Sequence, residues 1–490
     1  MKLPFFKKKP KELPEGYIRQ PIIPKGVSSV VRSKEEIYKE GRMRTRVPEE
    51  YSKIELREDV AEFLRRHNAC SDQIDRMDLT MKLHTAMEAG LRGEKGGLAM
   101  IPTYLTSMES HVVSEDPVAV LDAGGSNLRV ARVIWEGATP MVEDAETIPL
   151  PGSKEPVTWS KFIKQCADQL EPRLEGVKRV GVCFCYPAEA TPEGDLKVLS
   201  LSKEVTITGS KNKLVCASLN KELEKRGHMG LQYTALNDTA AALIRGRTSV
   251  PPRYGSDFAG MVMGTGVNAA ISLPVERIEK LGLPADGTRM IVDMEAGFFS
   301  DVPQSDFEKL VDEKSEAPGV SRLEKMTGGR YLGDIARYAL KAAAEEGMFE
   351  DEQTTKRLKA MRTLSIATAD KFADDPWMKA IPAMKDATQK DLETAQHIII
   401  GVLRRAGAAC TCLASAIAKL SGQGLTDRYK PVIVSVDGSV YNKSFFVHEE
   451  VTEGMQEFAI QELNIFSMCK GVEYATLIGT ACAAVTEQHG

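Results

Sequence analysis

Two stretches of the chain share one pattern, in which two apolar runs are separated by a short glycine turn. The first is VAVLDAGGSNLRV at residues 118–130, and the second is FAGMVMGTGVNAAISL at residues 258–273. Short apolar runs interrupted by glycine predict two strands joined by a tight turn. Because the two stretches have the same layout, we predict an internal structural duplication.

Apolar residues recur at helical spacing in the segments between and after these stretches. The pattern predicts helices at 51–92, 161–174, 214–225, 305–312, 321–348, 353–374, 391–420 and 474–485, and buried strands at 180–186, 233–236 and 431–436. A further helix should begin at Asn237-Asp238-Thr239, capped by Asp238 or Thr239. A chain of 490 residues is too long for one core. We therefore predict α/β architecture in two related domains.

Charge and hydropathy exclude some classes of protein. The net charge of −5 argues against a protein built to bind nucleic acid. The longest apolar run, at 398–403, is far shorter than the roughly 20 residues that cross a bilayer. The basic start MKLPFFKKKP is followed by no apolar segment, so we predict no signal peptide. Residues 1–50 are interpreted as a basic arm, either solvated or laid over the surface.

The nine cysteines include two C-x-C pairs, and no C-x2-C occurs. This spacing argues against a zinc site and favours reduced thiols in a cytoplasmic protein. Strand alternation at 180–186 should place Cys183 and Cys185 on one face.

The chemistry of the first turn suggests an anion site. Paired glycines allow positive φ and leave backbone N–H groups accessible to a phosphate. Ser126 and Asn127 add donors, and Asp122 adds a carboxylate suited to Mg²⁺ or its bound water. An ordinary hairpin explains the same glycines, so both interpretations stay open. The turn is neither a Walker loop nor a G-x-G-x-x-G dinucleotide loop.

Seven motifs considered together are more specific than either turn. In chain order they are LDAGGSNLRV, FCYP, LNDTAA, VMGTGVNAA, DMEAGFF, LEKMTGGRYLGDIAR and VDGSVY. This set resembles the hexokinase family, within the sugar kinase, actin and Hsp70 superfamily, from about Leu79 to the C-terminus.

The resemblance implies two ribonuclease-H-like (actin-like ATPase) domains separated by a cleft. The expected division is an N-terminal arm (1–50), a small domain (115–236 with the terminal helix 475–490) and a large domain (51–114 and 237–474).

The resemblance also implies an ATP-dependent kinase that forms a hexose 6-phosphate, most readily from glucose, with closure of the cleft on sugar binding. Asp238 matches the general base, and Lys203 is a second catalytic residue. Taken alone, Asp238 is more readily interpreted as a helix cap, and Lys203 as a surface lysine. The positions that match hexose contacts are Cys185, Ser202, Lys203, Asn237, Asp238, Asn268, Glu295 and Glu324.

On the nucleotide side, the resemblance implies ATP with Mg²⁺, and Asp122 touches the ion through water. The matching positions are Asp122, Gly124, Gly125, Ser126, Asn127 and Arg129 at the first turn, Gly264, Thr265 and Gly266 at the second, and Gly438, Ser439 and Gly479 further along the chain. The expected partners are hexose and ATP, without nucleic acid or a membrane span.

The chain departs from the family pattern at several positions. Cys185 stands where the family usually has Ser, and Cys183 replaces a polar residue on the same strand. Ala296 replaces a Trp, and the terminal glycine-rich loop is reduced to ATLIG at 475–479. These departures motivate an alternative, a hexose-sensing regulator of the same fold with weak catalysis.

Overall fold

The computed structural model describes residues 53–106, 110–125, 127–201 and 205–486, and its strands form two large sheets. From edge to edge, the five-stranded sheet contains Gln232–Leu236, Arg179–Phe184, Val118–Ala123, Asn127–Glu136 and Thr139–Pro149. The six-stranded sheet contains Ile101–Pro102, Arg289–Asp293, Val267–Pro274, Asp257–Met263, Val432–Asp437 and Ser467–Gly471. The predicted arm, Ser126, Ser202 and Lys203 lie outside the described residues.

Both sheets are built on the same five-strand unit. Three strands form an antiparallel meander, and two later strands add in parallel beside the first of them. The central strand Val118–Ala123 is buried at every position, as expected for a strand covered on both faces. The predicted duplication and the two α/β units are therefore confirmed.

Each sheet is followed by a helix that packs against the other sheet. The helix Asp238–Ser249 (the cleft helix) follows the last strand of the five-stranded sheet and packs on Asp257–Met263. The helix Ala475–Thr486 (the terminal helix) follows the six-stranded sheet and packs on Val118–Ala123 and Arg179–Phe184. The two helices also pack on each other. This exchange joins the two units through a pair of helices.

A 33-residue helix, Gln389–Ser421 (the central helix), runs through the core beside the six-stranded sheet. Among the described residues it is the one helix whose length and composition would suit a membrane span, and its apolar stretch is entirely buried. Packing inside the protein accounts for that composition. Small residues at 406–409 allow other helices to approach closely, including Phe445–Gly454.

The remaining helices mostly follow the predicted segments, with some breaks. They are Glu58–Arg66, Arg76–Leu91, Trp159–Leu170, Val215–Glu224, Asp306–Lys314, Arg322–Thr327, Gly329–Glu345, Glu352–Ala360, Ile366–Asp374, Ser439–Lys443 and Phe445–Gly454. The segment predicted as one helix at 321–348 is interrupted at Gly328, whose backbone is extended. The segment at 353–374 is interrupted before Ser365, which caps a new helix by accepting a hydrogen bond from Thr368 N.

The prediction for the cap of the cleft helix was wrong. Asn237, rather than Asp238 or Thr239, is the capping residue, and its Oδ1 accepts a hydrogen bond from Thr239 N at 2.9 Å. Asp238 is the first residue of the helix itself. Its carboxylate is therefore not used as the cap.

Candidate active site

The glycine turns of the two sheets face each other. A Cβ placed on Gly125 would lie 3.9 Å from Thr265 Oγ1, and one on Gly264 would lie 3.7 Å from Gly438 Cα. Each turn follows the equivalent strand of its unit, and Gly438 follows the parallel strand next to the second turn. The fold thus brings three motifs that are far apart in sequence to one place.

Neighbouring elements fix both turns through backbone carbonyls. Tyr186 Oη donates to the carbonyl oxygens of Gly124 and Gly125, at 3.0 and 3.2 Å. In the second turn, Gly329 N donates to Gly264 O at 2.9 Å, and Arg330 N donates to Thr265 O at 3.2 Å. The block at 323–337 therefore supports the second turn.

The glycines of the turns are needed for space and not for an unusual backbone conformation. We expected positive φ at the glycines of these turns. None of Gly124, Gly125, Gly264 and Gly266 has a φ in the positive range. A Cβ on Gly125 would meet nothing closer than Thr265, so the missing side chain leaves room for a ligand. At Gly266 the space is filled, because a Cβ there would collide with Glu324 Oε2.

Carboxylates crowd the cleft below these turns. Asp122 and Asp293 are 1% and 5% exposed. Burial, together with the charges of Asp293 and Asp122, raises the pKa of Asp238 from 3.8 to about 7. Burial also raises the pKa of Asp437. Such a concentration of negative charge favours a bound cation.

Asp122 is held in place by hydrogen bonds on both oxygens. Oδ2 accepts from Thr476 Oγ1 at 2.7 Å and from Arg129 Nη1 at 3.4 Å. Oδ1 accepts from Cys185 Sγ at 3.6 Å. Cys185 also lowers the pKa of the nearby Asp238 carboxyl. Cys185 therefore connects the expected metal-side carboxylate with the expected base.

The large domain contributes a second connected group. Asn268 Nδ2 donates to Asp293 Oδ1 at 2.8 Å, and Asn268 Oδ1 accepts from Ala296 N at 3.0 Å. Glu295 has a left-handed backbone (φ 52°), and burial together with the charges of Asp293, Asp238 and Glu324 raises its pKa. Glu295 and Glu324 are half-buried, and the charge of Glu324 acts on Glu295. Neither residue is an ordinary solvated surface charge.

The groove between the units ends at polar groups. Apolar and polar side chains from both sheets line it, including Ile101, Thr103, Phe184 and Tyr186, and it reaches Asn237 and Asp293. A hydroxyl-rich ligand entering here would meet Asn and carboxylate groups, which can both orient sugar hydroxyls.

Three residues of this site were not predicted from sequence. Asp293 begins the DMEAGFF motif, and Asp437 ends a strand, so both had local signals. Thr476 lies in the segment ATLIG, which the sequence marked only as a reduced glycine-rich loop, and nothing in the sequence linked it to Asp122, 354 residues away.

One predicted site residue belongs elsewhere. Gly479 lies within the terminal helix, where a Cβ would overlap the carbonyl of Ala241. It allows the terminal and cleft helices to pack closely, and the structure does not support the nucleotide contact that we expected.

Known proteins similar to this chain were found by sequence and by structure. One hexokinase family model matches residues 59–248, and another matches residues 258–486. The hexokinase of Kluyveromyces lactis is 27% identical over 400 residues, covering 76% of this chain and 79% of that protein. Hexokinase-1 of Saccharomyces cerevisiae is 28% identical over 401 residues, covering 76% and 80%. A solved structure of hexokinase from Schistosoma mansoni complexed with glucose superposes with a TM-score of 0.73 at 22% identity, covering 88% of this chain and 98% of that one.

Proposed function

Since the chain belongs to the hexokinase family, with that family's two-domain architecture, we propose that it transfers the γ-phosphoryl group of ATP to the 6-hydroxyl of a hexose, with glucose as the favoured substrate. Family and fold support hexose kinase activity; the choice of sugar and the roles below are the proposal. The observation that carries it is the placement of Asp238 beside Asp122 and Asp293, in the cleft joined by the facing glycine turns.

In this proposal Asp238 accepts the proton of the 6-hydroxyl as that oxygen attacks the γ-phosphorus. A pKa of about 7 suits a base that works near neutral pH. The cleft helix directs its N-terminus, with its partial positive charge, at the same region. Asn237, Asn268, Glu295 and Glu324 orient the hexose, and Cys185 contributes a weak thiol donor.

The nucleotide triphosphate lies between the two turns, with Asn127, Arg129 and Thr265 as donors. Mg²⁺ bound with ATP neutralises phosphate charge. Asp122 would hold it through water, since the Asp122 oxygens are already oriented by Thr476 and Cys185. Gly438 and Ser439 would lie near the nucleoside.

We also propose the domain division stated above, because the exchange of the cleft and terminal helices marks the boundary. All nine cysteines are free thiols, which supports a reducing, cytoplasmic location.

A coupled assay with ATP and Mg²⁺ tests the proposal on glucose, mannose and fructose. We expect phosphorylation of at least one hexose, and loss of turnover when the metal is chelated. No phosphorylation from ATP, GTP or pyrophosphate would overturn the proposal. If calorimetry then shows hexose binding without turnover, the regulatory alternative, suggested by the thiol at Cys185, is the correct one.

A further inference from the structure

The thiols of Cys183 and Cys185 lie side by side at the bottom of the cleft. They project from the same face of the strand Arg179–Phe184 and its extension, and the two sulfur atoms are 3.8 Å apart. On the neighbouring strand, Asp122 Oδ1 is 3.6 Å from Cys185 Sγ. The ligand atoms of all three residues fall within 4.8 Å of one another.

Two of these separations, between the two sulfurs and between Cys185 Sγ and Asp122 Oδ1, match edges of a tetrahedral zinc site. Zinc binds thiolate sulfur at about 2.3 Å and carboxylate oxygen at about 2.0–2.2 Å. Tetrahedral angles then place two sulfurs about 3.8 Å apart, and a sulfur and an oxygen about 3.5–3.7 Å apart. We propose that Cys183, Cys185 and Asp122 form a binding site for a thiophilic divalent cation, represented by Zn²⁺, at the bottom of the cleft.

Asp122, the third proposed ligand, is already oriented toward the two thiols. Thr476 and Arg129 bond to Oδ2 of Asp122, and this arrangement leaves Oδ1 toward the thiols. Such outer hydrogen bonds fix the orientation of a metal ligand and increase affinity. A water molecule would supply the fourth ligand, as in zinc sites that have three protein ligands.

The sequence argued against zinc because it has no C-x2-C motif. That argument considered cysteines alone, whereas the structure adds a carboxylate from the neighbouring strand, which lies parallel to the strand that contains Cys183. The other C-x-C pair, Cys410 and Cys412, is on the central helix, where residues two apart do not face each other. Among the described residues, no second cluster of this kind occurs.

Access and charge are compatible with binding. Cys183 and Asp122 are buried, while Cys185 is partly exposed and offers a route from the cleft. Each thiol gives its proton to solvent as its sulfur binds the ion, so the cation replaces two protons. The ion also offsets the negative charge that Asp122 and Asp238 place together.

The test uses the full chain, stripped of metal with a chelator and kept reduced by a phosphine without thiol groups. Titration with Co²⁺ should give a sulfur-to-cobalt charge-transfer band that saturates at one ion per chain and disappears when Zn²⁺ is added. Zinc binding should release about two protons per ion, measured with an indicator in weak buffer.

Cys183→Ser and Cys185→Ser should each abolish the band. Asp122→Asn keeps both thiols and should weaken affinity at least about tenfold. Cys216→Ser is the matched control, because it removes a buried thiol beside a carboxylate, Asp195, without a second thiol nearby. Circular dichroism identifies variants that do not fold, and the remaining variants then decide the result.

A wild-type protein without the charge-transfer band, or a band that survives in both Cys183→Ser and Cys185→Ser, would overturn the proposal. The binding readout does not depend on kinase activity. If the proposed function is also correct, an ion bound to Asp122 beside Asp238 should inhibit phosphorylation of hexose. Inhibition is then a second measurement, and its absence would count against the kinase roles of those residues and not against the metal site.

Discussion

Asp238, the proposed general base, is buried among other carboxylates, and its pKa is raised to about 7. We predict that Asp238→Asn lowers kcat by about 10²–10⁴-fold while the hexose dissociation constant, measured by calorimetry, changes only a few-fold. The variant should also raise the melting temperature by a few degrees, because a poorly solvated charge is removed. Asp195→Asn is the control, and we expect it to change stability and turnover in the opposite way from Asp238→Asn. Its carboxylate accepts hydrogen bonds from Leu196 N and Cys216 N, both at 2.7 Å, so that variant should melt earlier and keep its turnover.

The same pKa predicts a pH dependence. Burial raises the folded-state pKa of Asp238 from 3.8 to about 7, so the carboxyl is protonated below that pH and cannot accept a proton. We predict that kcat/KM falls about tenfold per pH unit on the acid side of about pH 7. The free energy of unfolding should change with pH in the opposite direction from kcat/KM. The contribution of this group to the free energy of unfolding is present at low pH and is lost as pH rises toward 7. A flat kcat/KM profile between pH 5 and 7 would contradict the assignment.

Two turn glycines should respond differently to the same methyl group. Gly125→Ala adds a Cβ that meets only Thr265, at 3.9 Å, so we predict an unchanged melting temperature and an increase of about tenfold or more in KM for ATP. Gly266→Ala adds a Cβ that collides with Glu324, so we predict weaker hexose binding and a lower melting temperature. Steady-state kinetics and thermal melting measure both. If either substitution weakened ATP binding and hexose binding equally, the assignment of Gly125 to the nucleotide and Gly266 to the hexose would be contradicted.

Among the elements, the central helix places charged side chains in the core. Arg405 Nε donates to Glu308 Oε1 at 3.0 Å, both side chains are 3% exposed, and Arg405 also donates to Cys70 O at 2.9 Å. Glu308 also completes the capping box with Ser305. We predict that Glu308→Gln lowers the free energy of unfolding by about 3 kcal/mol, because Arg405 stays buried without a counter-charge. The shift of the urea midpoint measures it.

The control for that prediction lies on the helix Asp306–Lys314, which also contains Glu308. Asp306 pairs with Lys309 at 3.2 Å, but its side chain is 45% exposed. Asp306→Asn should therefore cost less than about 1 kcal/mol. A midpoint shift for Glu308→Gln no larger than that of Asp306→Asn would show that Arg405 finds other partners.

Periodicity predicted most elements because burial of one face imposes it on the sequence. It missed the breaks at 67–75, at Gly328 and before Ser365, where capping groups end a pattern that remains apolar on both sides. The cap of the cleft helix was ambiguous, since Asn, Asp and Thr all cap well. The turns and most of the clustered site residues were predicted through motifs. The contact made by Thr476 could not be predicted in this way, because its partner Asp122 is distant in the chain and only the exchanged terminal helix brings the two residues together.

At the scale of the molecule, the two units are joined by a pair of packed helices, and the proposed sugar and nucleotide contacts come from both sides of the groove. A ligand that touches both units binds the closed arrangement more tightly than the open one, and therefore shifts the population toward closure. Closure would expel water from the carboxylates and bring the turns nearer to the hexose.

We predict that glucose lowers the radius of gyration measured by X-ray scattering, whereas L-glucose does not. At a glucose concentration of about 100 times the dissociation constant, binding adds about 2.7 kcal/mol of stability, which should raise the melting temperature of a chain of this length by about 3 °C. Gly125→Ala retains the hexose contacts and should close in the same way, whereas Glu324→Gln should need more sugar. If glucose raises the melting temperature and leaves the scattering profile unchanged, the sugar binds a groove that is already closed, and exclusion of water does not depend on domain motion.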